Sequence, residues 1–588
     1  MLKTYKNHHK KLILKLLRLF IGLQILLSFA IAQNKQVKSN QNLLSQTLDE
    51  FFTRSTAYGF SGSVIIAKGD QVLLRKGYGL IDRKRTLPVT PETVFSIASL
   101  DKQFIAACIL KLEEAGKLKV TDSITKFFDF VPDDKKAITV HQLLSHTSGI
   151  PDDYWDEHKE LLRAEYVRYV LNNLKLESQP NTNGSYTNAG FIILEEIIAR
   201  VSGKPYEKFI QEAIFRPAGL TKTDFPSRKW NPDEVAKYRL WTMDIDKLFV
   251  DATDVLTRPR PLWVMLSTAD DFYKWFLALK SNKILSTESK KKLFTPILEN
   301  YGYGWNIVQT SRGTKLIHHG GSGSGVGMNA TFRWFLDEDV FVGILSNSTN
   351  FTISSDYFMS DVEALLFGGN VNLPPTPSNL SPPIPKNIFG KYELADGTNF
   401  EILSAIGNRL VVKSFDPRAV IMLRFPNSVA SPEKVPQDAV ANEILRGAGQ
   451  GDFEPLKKFV AKSEDFEKQK ARLQRFMLRF VALGKMQSVN TIHQKWFSFE
   501  NQPELQTFTL LQFEKGKAVV RFTHLPNGNF ELRQINADGI ESFLIPIRKN
   551  EFATWDFTLN TSAKIIFEEN GSQIKIQSLY GEISARRK

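Results

Sequence analysis

A proline-rich stretch about two thirds of the way along the chain limits what the chain can fold into. Leu373 to Pro385 has the sequence LPPTPSNLSPPIP, with six prolines in thirteen residues. Proline lacks a backbone N–H and fixes its own φ, so this stretch predicts a semi-rigid linker. The 588 residues also exceed what one hydrophobic core usually serves. We therefore expect separate domains on the two sides of residues 373–385.

The first 32 residues have the composition of an export signal. An apolar segment, Leu19–Leu27, leads to the small residues Ala30 and Ala32 just before Gln33. The segment is shorter than the roughly 20 residues that span a bilayer. We expect a cleaved signal at residues 1–32, a periplasmic or secreted protein and no stable membrane span, with an uncleaved anchor as the alternative. The basic residues of this segment are Lys3, Lys6, Lys10, Lys11, Lys15 and Arg18.

Charge and metal-ligand content exclude further classes. Removing the six basic residues of the signal takes the formal net charge from +13 to +7, which is too dilute to indicate a nucleic-acid partner. Cys108 is the single cysteine, lies in an apolar helical stretch and is expected to be buried. No C-x-x-C or H-E-x-x-H motif occurs, so we predict no metal and no cofactor.

Secondary-structure patterns between the signal and the linker predict an α+β domain. Residues 61–82, SGSVIIAKGDQVLLRKGYGLID, form two β-rich runs joined by a turn at Lys68–Asp70. Helical periodicity follows, as at Ala189–Ser202 and Thr268–Leu279, and the region closes with strands at Ala330–Phe335 and Val340–Ser346. Strands first and last with helices between indicate one antiparallel sheet flanked by helices, within residues 33–372.

The region after the linker predicts a second architecture. Phe389–Phe425 holds four short runs of strand character, FGKYEL, NFEILSA, RLVVKSF and VIMLRF, and similar sequence returns from Phe543 to Arg586. Between them, Val435–Phe480 has helical period and Gln487–Ile535 has strand character. We predict a small split β-barrel-like domain, residues 386–430 and 541–588, with an inserted α+β module at 431–540. Two consecutive small domains are the alternative.

Three short motifs carry the candidate chemistry. Ser99 precedes Lys102 in one of five S-x-x-K matches, and it alone starts a long apolar helix, where free N–H groups favour a developing anion and an amine at i+3 shares its face. Tyr186 and Asn188 form the only Y-x-N outside the predicted signal, just before another apolar helix, and supply a phenol and a carboxamide. Residues 319–322, HGGS, let a substrate approach the backbone. Taken singly, the three are also a helix cap, a turn and a glycine-rich loop.

Together these motifs make the region from Phe51 to Gly369 resemble the serine β-lactamase and penicillin-binding-protein superfamily. The matching stretches are FSIASLDKQF, SYTNAGF and HHGGSGSGVG, in the family's order, with supporting stretches LLSHTSGI at 143–150 and YGYGWNI at 301–307. The resemblance is to the class C-like branch of D-alanyl-D-alanine carboxypeptidases, D-aminopeptidases and esterases. It implies a β-lactamase/transpeptidase-like fold and an acyl-enzyme mechanism.

The resemblance also implies a role for each matching residue. Ser99 would be acylated, Lys102 and Tyr186 would share the proton transfers, and Asn188 would hold the substrate amide. The third motif would begin at His319, with His318 as the alternative register, and would place Gly321 against the substrate. The backbone N–H groups of Ser99 and Ser322 would form the oxyanion hole. These positions are the predicted site: Ser99, Lys102, Tyr186, Asn188, His319, Gly321 and Ser322.

One position departs from efficient β-lactamases, whose third motif usually begins with lysine. An imidazole attracts a substrate carboxylate less strongly than an ammonium group does, so His319 disfavours strong antibiotic hydrolysis. We expect an exported serine hydrolase for an amide or ester, with a small-molecule or peptide substrate derived from the cell wall. A penicillin-binding sensor or scaffold that does not turn over is the alternative. The C-terminal modules resemble a lipocalin-like β domain and a nuclear-transport-factor-type fold, and the sequence assigns them no reaction and no oligomeric state.

Overall fold

The structure of the protein is a computed structural model that describes most of the chain beyond residue 40. The predicted signal at residues 1–32 and most of the predicted linker lie outside the described residues. The described ranges are 41–82, 87–152, 161–239, 249–251, 265–323, 328–347, 355–369, 371–377, 384, 386–395, 397–405, 409–414, 419, 437–460, 463–499, 502–524, 530–535, 540–556, 561–568, 571–578 and 581–588.

Six antiparallel strands form the sheet of the N-terminal region, in the order β2-β1-β6-β5-β4-β3. The first strand of the region pairs with the last, with Val64 opposite Ile344. The predicted α+β fold, with one sheet built from both ends of the segment, is therefore confirmed. The strands are β1 (Gly62–Lys68), β2 (Gln71–Tyr78), β3 (Asn306–Gln309), β4 (Lys315–Gly323), β5 (Met328–Phe335) and β6 (Val340–Ser346).

The sheet is covered on both faces, which explains why its middle strands are almost continuously apolar. In β1 (GSVIIAK) only Lys68 is exposed, and β6 is buried along its whole length. Side chains alternate between faces along a strand. Accordingly, Ile65 packs into the larger core, whereas Val64 and Ile66 pack into a second core on the opposite face.

Among the described residues, ten α-helices belong to the N-terminal region and three to the C-terminal insert. Helices α2, α5 and α8 contribute to the larger core, and α1 and α10 to the second. Their ends follow ordinary capping chemistry: Thr268 caps α8 through the N–H of Asp271, and Gly203 ends α5 in the left-handed region at φ 68°. In the N-terminal region the helices are α1 (41–57), α2 (Asp101–Glu114), α3 (Val140–Leu144), α4 (Arg163–Asn173), α5 (Asn188–Ser202), α6 (Tyr206–Ile210), α7 (Arg216–Ala218), α8 (Ala269–Lys280), α9 (Thr287–Leu293) and α10 (Ser355–Leu366).

Short elements complete this region. A 3₁₀ turn, Ala98–Leu100, leads directly into α2, and a five-residue π-helical segment, Gln211–Phe215, joins α6 to α7. Cys108 is buried within α2, as predicted. Three two-stranded ribbons pair Leu80–Asp82 with Leu87–Pro88, Phe95–Ser96 with Leu266–Ser267, and Lys237–Arg239 with Phe249–Asp251.

The region after the linker contains a closed barrel interrupted by an insert. Three strands come first: β7 (Gly390–Leu394), β8 (Asn399–Ala405) and β9 (Arg409–Ser414). The insert follows, with helices α11 (Gln437–Gln450), α12 (Glu454–Phe459) and α13 (Ser463–Leu478) and strands β10 (Met486–Phe499), β11 (Gln502–Phe513), β12 (Gly516–His524) and β13 (Phe530–Ile535). Five strands end the chain: β14 (Ile540–Arg548), β15 (Glu551–Asp556), β16 (Thr561–Phe567), β17 (Gln573–Ser578) and β18 (Gly581–Arg587).

Strands from both sides of the insert close one barrel, in the order β7-β8-β9-β14-β15-β16-β17-β18. The junction is the pairing of β9 with β14, where Leu410 lies opposite Leu544. The predicted barrel with an inserted α+β module is thus confirmed, although the fourth predicted strand, VIMLRF, lies outside the described residues. The exact domain limits stay predictions. Within the described ranges, no helix is both long enough and apolar enough to span a bilayer.

Candidate active site

Ser99 lies in the 3₁₀ turn that precedes α2 and is half-buried. It is not the cap of that helix: the residue at the N-cap position of α2 is Leu100, and no side chain caps either the turn or the helix. Ala98, just before the serine, has φ +45°, a left-handed conformation that costs energy for a residue with a Cβ. Such strain is often found at functional turns. The local geometry therefore argues against the simple helix-cap interpretation of Ser99.

The turn that carries Ser99 packs closely against β4. A Cβ on Gly321 would lie 2.2 Å from the carbonyl oxygen of Ile97 and 3.2 Å from the Cβ of Ala98, so only glycine fits at this point of the strand. Gly321 pairs with Ala330 on β5, and the next residue, Ser322, is exposed. The first and third predicted motifs are thus neighbours in the fold.

Side chains alternate between the two faces of β4, so only one of the adjacent residues His318 and His319 faces the predicted site. Ile317 packs in the larger core, together with α2, whereas Leu316 packs in the core on the opposite face. His319 is on the same face of β4 as Ile317 and Gly321, and its ring centroid lies 6.4 Å from that of Tyr186. His318 is on the other face of β4 and is the pairing partner of Arg333 on β5. The structure therefore supports the register in which the third motif begins at His319.

Lys102 lies at the centre of the cluster and is only 1% exposed. Its ammonium nitrogen Nζ donates a hydrogen bond to Oδ1 of Asn188 at 2.9 Å and lies 5.1 Å from the ring centroid of Tyr186. Nζ is also 3.8 Å from Oδ1 of Asp101. Burial acts to lower the pKa of Lys102, but interactions with Tyr186, Asp101 and Asp152 outweigh it, and the pKa is raised. Lys102 therefore carries its charge at neutral pH.

Tyr186 and Asn188 lie at the start of α5. Thr187 is the N-cap residue in an extended conformation, but its side chain does not cap the helix; its Oγ1 donates instead to the carbonyl oxygen of Pro151 at 3.1 Å. The second motif is therefore more than a capping turn. The extended backbone at Thr187 puts the side chains of its two neighbours on the same side of the chain, next to Lys102. Tyr186 is 41% exposed, while the side-chain oxygen of Asn188 reaches the buried Lys102.

His319 is buried and its two ring nitrogens are both engaged. Nδ1 lies 2.7 Å from the carbonyl oxygen of Gly320, which can only accept, so Nδ1 carries the proton. Nε2 lies 3.0 Å from the hydroxyl of Tyr301 and accepts from it. Burial, together with the charge of Lys102, lowers the pKa of His319 to about 4. His319 is therefore a neutral imidazole at pH 7.

Three further residues belong to this cluster although the sequence motifs gave them no role. The ring of His146 packs at a tilt against those of Tyr186 and Tyr301, with centroids 4.3 and 4.6 Å apart, and its Nδ1 accepts the backbone N–H of Thr187 at 3.2 Å. Burial, Lys102 and His319 hold the pKa of His146 well below its usual range. His146 and Tyr301 lie in the stretches LLSHTSGI and YGYGWNI, so a signal for them was present.

The third of these residues, Asp152, had no sequence signal. Its Oδ1 accepts the backbone N–H of Asn188 at 2.8 Å, and its two oxygens lie 3.3 and 3.4 Å from Nδ2 of the same residue. A hydrogen-bonded path thus runs from Lys102 through the Asn188 amide to Asp152.

The structure places these motifs around one site. Lys102, Tyr186 and Asn188 are in direct contact or close to it, His319 adjoins Tyr186, and the turn of Ser99 rests on the strand of Gly321 and Ser322. In the part of the chain that is described, no group of three His, Cys, Asp or Glu side chains is arranged to hold a metal ion. The assigned roles remain predictions, but the fold and the site together define an α+β protein with the components of a serine acyl-transfer site.

Comparison with known proteins identifies the family of this chain. The family model described as Beta-lactamase matches residues 48–357, more than half of the chain. The chain belongs to this family. Penicillin-binding protein 4* of Bacillus subtilis (strain 168) is 27% identical over 394 residues, covering 62% of this chain and 86% of that protein. The putative penicillin-binding protein PbpX of the same strain is 32% identical over 283 residues, covering 47% and 68%.

The solved structures that match this chain have lower sequence identity. The octameric penicillin-binding protein homologue from Pyrococcus abyssi is 19% identical, with a TM-score of 0.48 over 92% of this chain and 99% of that chain. D-amino acid amidase from Ochrobactrum anthropi SV3, complexed with L-phenylalanine, is 22% identical, with a TM-score of 0.45 over 53% of this chain and 92% of that chain.

Proposed function

We propose that this protein is an exported serine hydrolase that cleaves an amide or ester through an acyl-enzyme on Ser99. The observation that carries the proposal is the contact of Lys102 Nζ with Asn188 at 2.9 Å, with the Tyr186 ring at 5.1 Å, behind the strained turn of Ser99. Ser, Lys and Tyr in one cluster are the groups that activate a hydroxyl nucleophile. The substrate class we propose is a D-amino-acid peptide or ester of cell-wall origin, which accords with the penicillin-binding proteins among the relatives.

The steps follow from the roles of the groups. Ser99 Oγ forms a bond to the substrate carbonyl carbon, and its proton passes to the phenolate oxygen of Tyr186, since the charged Lys102 has no lone pair to accept it. Lys102 stabilises the negative charge on the Tyr186 oxygen before this transfer. When the tetrahedral intermediate collapses, the bond from carbon to the leaving nitrogen or oxygen breaks, and Tyr186 returns the proton to that atom. Water then attacks the acyl-enzyme, which releases the acid and restores the Ser99 hydroxyl.

The oxyanion of the intermediate needs hydrogen-bond donors. We assign this role to the backbone N–H groups of Ser99 and Ser322, and support comes from the close packing of the Ser99 turn on Gly321. A donor of this kind is typically worth about 3 kcal/mol of barrier. The neutral His319 offers no cation to a substrate carboxylate, so we expect an ester without a carboxylate to be a better substrate than a cephalosporin.

Intact-mass measurement tests the proposal most directly. The full chain is incubated with a chromogenic ester, a chromogenic cephalosporin and a D-alanyl-D-alanine peptide, beside Ser99→Ala. We expect turnover of the ester or peptide that falls at least 10³-fold in the variant, the order expected when a nucleophile is removed. A matched control is Ser123→Ala, at another S-x-x-K position whose hydroxyl caps a 3₁₀ turn.

Other outcomes have definite meanings. A permanent adduct on Ser99 without turnover would establish the sensor alternative instead. Turnover that survives Ser99→Ala, or no reaction and no adduct with any substrate, would contradict the proposal. Faster hydrolysis of the cephalosporin than of the ester would contradict the argument from His319.

A further inference from the structure

We infer that Asp152 selects the substrate, by binding a positively charged amino group next to the acyl carbon. The preferred substrates are then amides or esters of amino acids with a free α-amino group, and not acyl groups that carry a carboxylate. The inference rests on the proposed function, because it concerns the substrate class of the same site.

The position of Asp152 is fixed by the residue that is predicted to hold the substrate amide. Asp152 Oδ1 accepts the backbone N–H of Asn188 at 2.8 Å, across 36 residues of sequence. The side-chain Nδ2 of Asn188 lies 3.3 and 3.4 Å from the two carboxylate oxygens. The preceding residue is held as well, because the carbonyl oxygen of Pro151 accepts the hydroxyl of Thr187. Asp152 is therefore anchored to the start of α5.

These contacts also fix the orientation of the Asn188 amide. Lys102 can only donate hydrogen bonds, so Asn188 must turn its oxygen toward Nζ. The ionised carboxylate of Asp152 can only accept, so Nδ2 must face it. A substrate carbonyl that binds to Nδ2 is then brought close to the Asp152 carboxylate. Asp152 is exposed, so a substrate group can reach it.

The charges around the site favour an ammonium group over a carboxylate at this position. The positive charge of Lys102 is opposed by Asp101 at 3.8 Å, and Asp152 adds a second negative charge on the far side of Asn188. His319 and His146 are both neutral, because burial and Lys102 lower the pKa of each. A substrate carboxylate would therefore meet neutral imidazoles and the negative Asp152, whereas an ammonium group would meet an opposite charge.

A set of matched substrates separates this inference from the proposed function. The set has three p-nitroanilides of D-alanine, with a free amine, an N-acetyl group or an N-succinyl group, and the same three N-termini on benzyl esters. The acyl carbon and leaving group are constant within each series, so kcat/KM reports the charge at the N-terminus. For the full chain we expect the free amine to exceed the acetylated substrate by about tenfold or more, and the succinylated substrate to be the poorest.

The variant Asp152→Asn tests the residue. Because the carboxylate also orients the Asn188 amide, the effect is judged from the ratios of kcat/KM between N-termini. We expect the free amine to lose about tenfold more than the acetylated substrate, and the succinylated substrate to gain relative to the acetylated one. The acetylated substrate also reports any general disturbance of Asn188. Asp133→Asn, at an exposed carboxylate paired with Lys136, is the control and should change none of the ratios. Added salt at 0.5 M should reduce the preference for the amine in the wild type, but not in Asp152→Asn.

Each remaining outcome overturns the inference. Ser99-dependent turnover with equal kcat/KM for the free and acetylated amines would leave the proposed function standing and the inference wrong. The inference would also be wrong if the preference for the amine survives Asp152→Asn, or if the loss of kcat/KM in that variant is equal for all three N-termini. No Ser99-dependent turnover in either series would overturn both.

Discussion

Several ionisable side chains of this protein are buried and have a polar atom without a hydrogen-bond partner. Asp101 is 4% exposed, and its Oδ1 has no hydrogen-bond partner although Lys102 lies 3.8 Å away. Burial raises the pKa of Asp101, against the lowering effect of Lys102. Motif spacing predicts the S-x-x-K pair but cannot predict this environment, because burial depends on helices that are distant in sequence.

The same limit applies to the site as a whole. Ser99, Lys102, Tyr186, Asn188 and His319 could be proposed from sequence because each lies in a short motif with a recognisable order. Asp152 could not, since a single aspartate after a proline has no distinguishing pattern. Its position depends on a hydrogen bond across 36 residues. Side chains that orient the site through long-range contacts therefore cannot be predicted from a single sequence.

Asp361 on α10 gives a prediction about stability and pH. It is 4% exposed, its Oδ2 has no hydrogen-bond partner, and burial raises its pKa from 3.8 to about 7. The folded protein therefore keeps this proton in a pH range where the unfolded chain has lost it. Hence the stability present at low pH is lost as the pH rises from about 4 through 7. We expect Asp361→Asn to be more stable than wild type, by an amount that grows by roughly 2–3 kcal/mol between pH 5 and 8.

Urea unfolding at pH 5, 6.5 and 8 measures this difference. The exposed Asp129→Asn is the control and should show a difference that changes little with pH. A gain for Asp361→Asn that is the same at all three pH values would contradict the prediction.

At the scale of single elements, β4 is the strand that packs against the turn of Ser99 and carries the third predicted motif. Its odd positions, from Ile317 to Gly321, face α2 and the site, while its even positions face the second core. Glycine-rich sequence alone indicated a loop as readily as a strand. The structure shows a strand through residues 315–323. The residue at position 321 is a glycine because the turn that carries Ser99 leaves no room for a side chain there. The sequence predicted strands and helices where the hydrophobic periodicity was strong. It was ambiguous where a glycine is needed for close packing between two elements.

Two neighbouring glycines of β4 provide a matched test of this contact. A Cβ on Gly321 would lie 2.2 Å from the Ile97 carbonyl oxygen, whereas the nearest atom to a Cβ on Gly320 is 3.9 Å away. We expect Gly321→Ala to lose about 2–4 kcal/mol of stability and at least 100-fold in kcat/KM, because the Ser99 turn must shift. We expect Gly320→Ala to stay within about 1 kcal/mol of wild type. Thermal unfolding and ester hydrolysis measure both. Equal effects of the two substitutions would show that the close packing is unimportant.

At the scale of the whole molecule, the barrel shares an apolar cluster with the N-terminal region. Val411, Ile545 and Trp555 project outward from the barrel strands and pack in the core that also holds α1 and α10. The adjacent Leu410 and Leu544 point into the barrel interior, which is a separate core. The chain after α10 is attached as well. Backbone carbonyl oxygens of the predicted linker accept two hydrogen bonds, one from a side chain of α1 and one from the residue just after it: Arg54 Nη1 to Pro374 at 3.2 Å and Tyr58 Oη to Pro375 at 2.9 Å.

This shared cluster could not be read from the sequence. Period-2 alternation predicts that a strand has two faces, but it does not say what covers the outer one. The proline-rich segment suggested independent units joined by a semi-rigid spacer. The packing of outward-facing barrel residues against α1 and α10 instead links the two regions energetically. The catalytic candidates lie on the opposite face of the sheet, on the side of the larger core.

Ile545→Glu therefore separates the role of the interface from that of the site. A carboxylate without a partner at this position, now 2% exposed, should cost roughly 2–4 kcal/mol of the packing between the two regions. The barrel interior at Leu544 and the larger core are untouched. We expect thermal unfolding to split into two transitions, while kcat/KM for an ester stays within about twofold of wild type. Lys549→Glu, an exposed charge reversal beyond the end of the same strand, should keep the wild-type unfolding profile. If activity instead falls in proportion to the loss of stability, the barrel supports the site directly, and the separation of the two cores has no functional meaning.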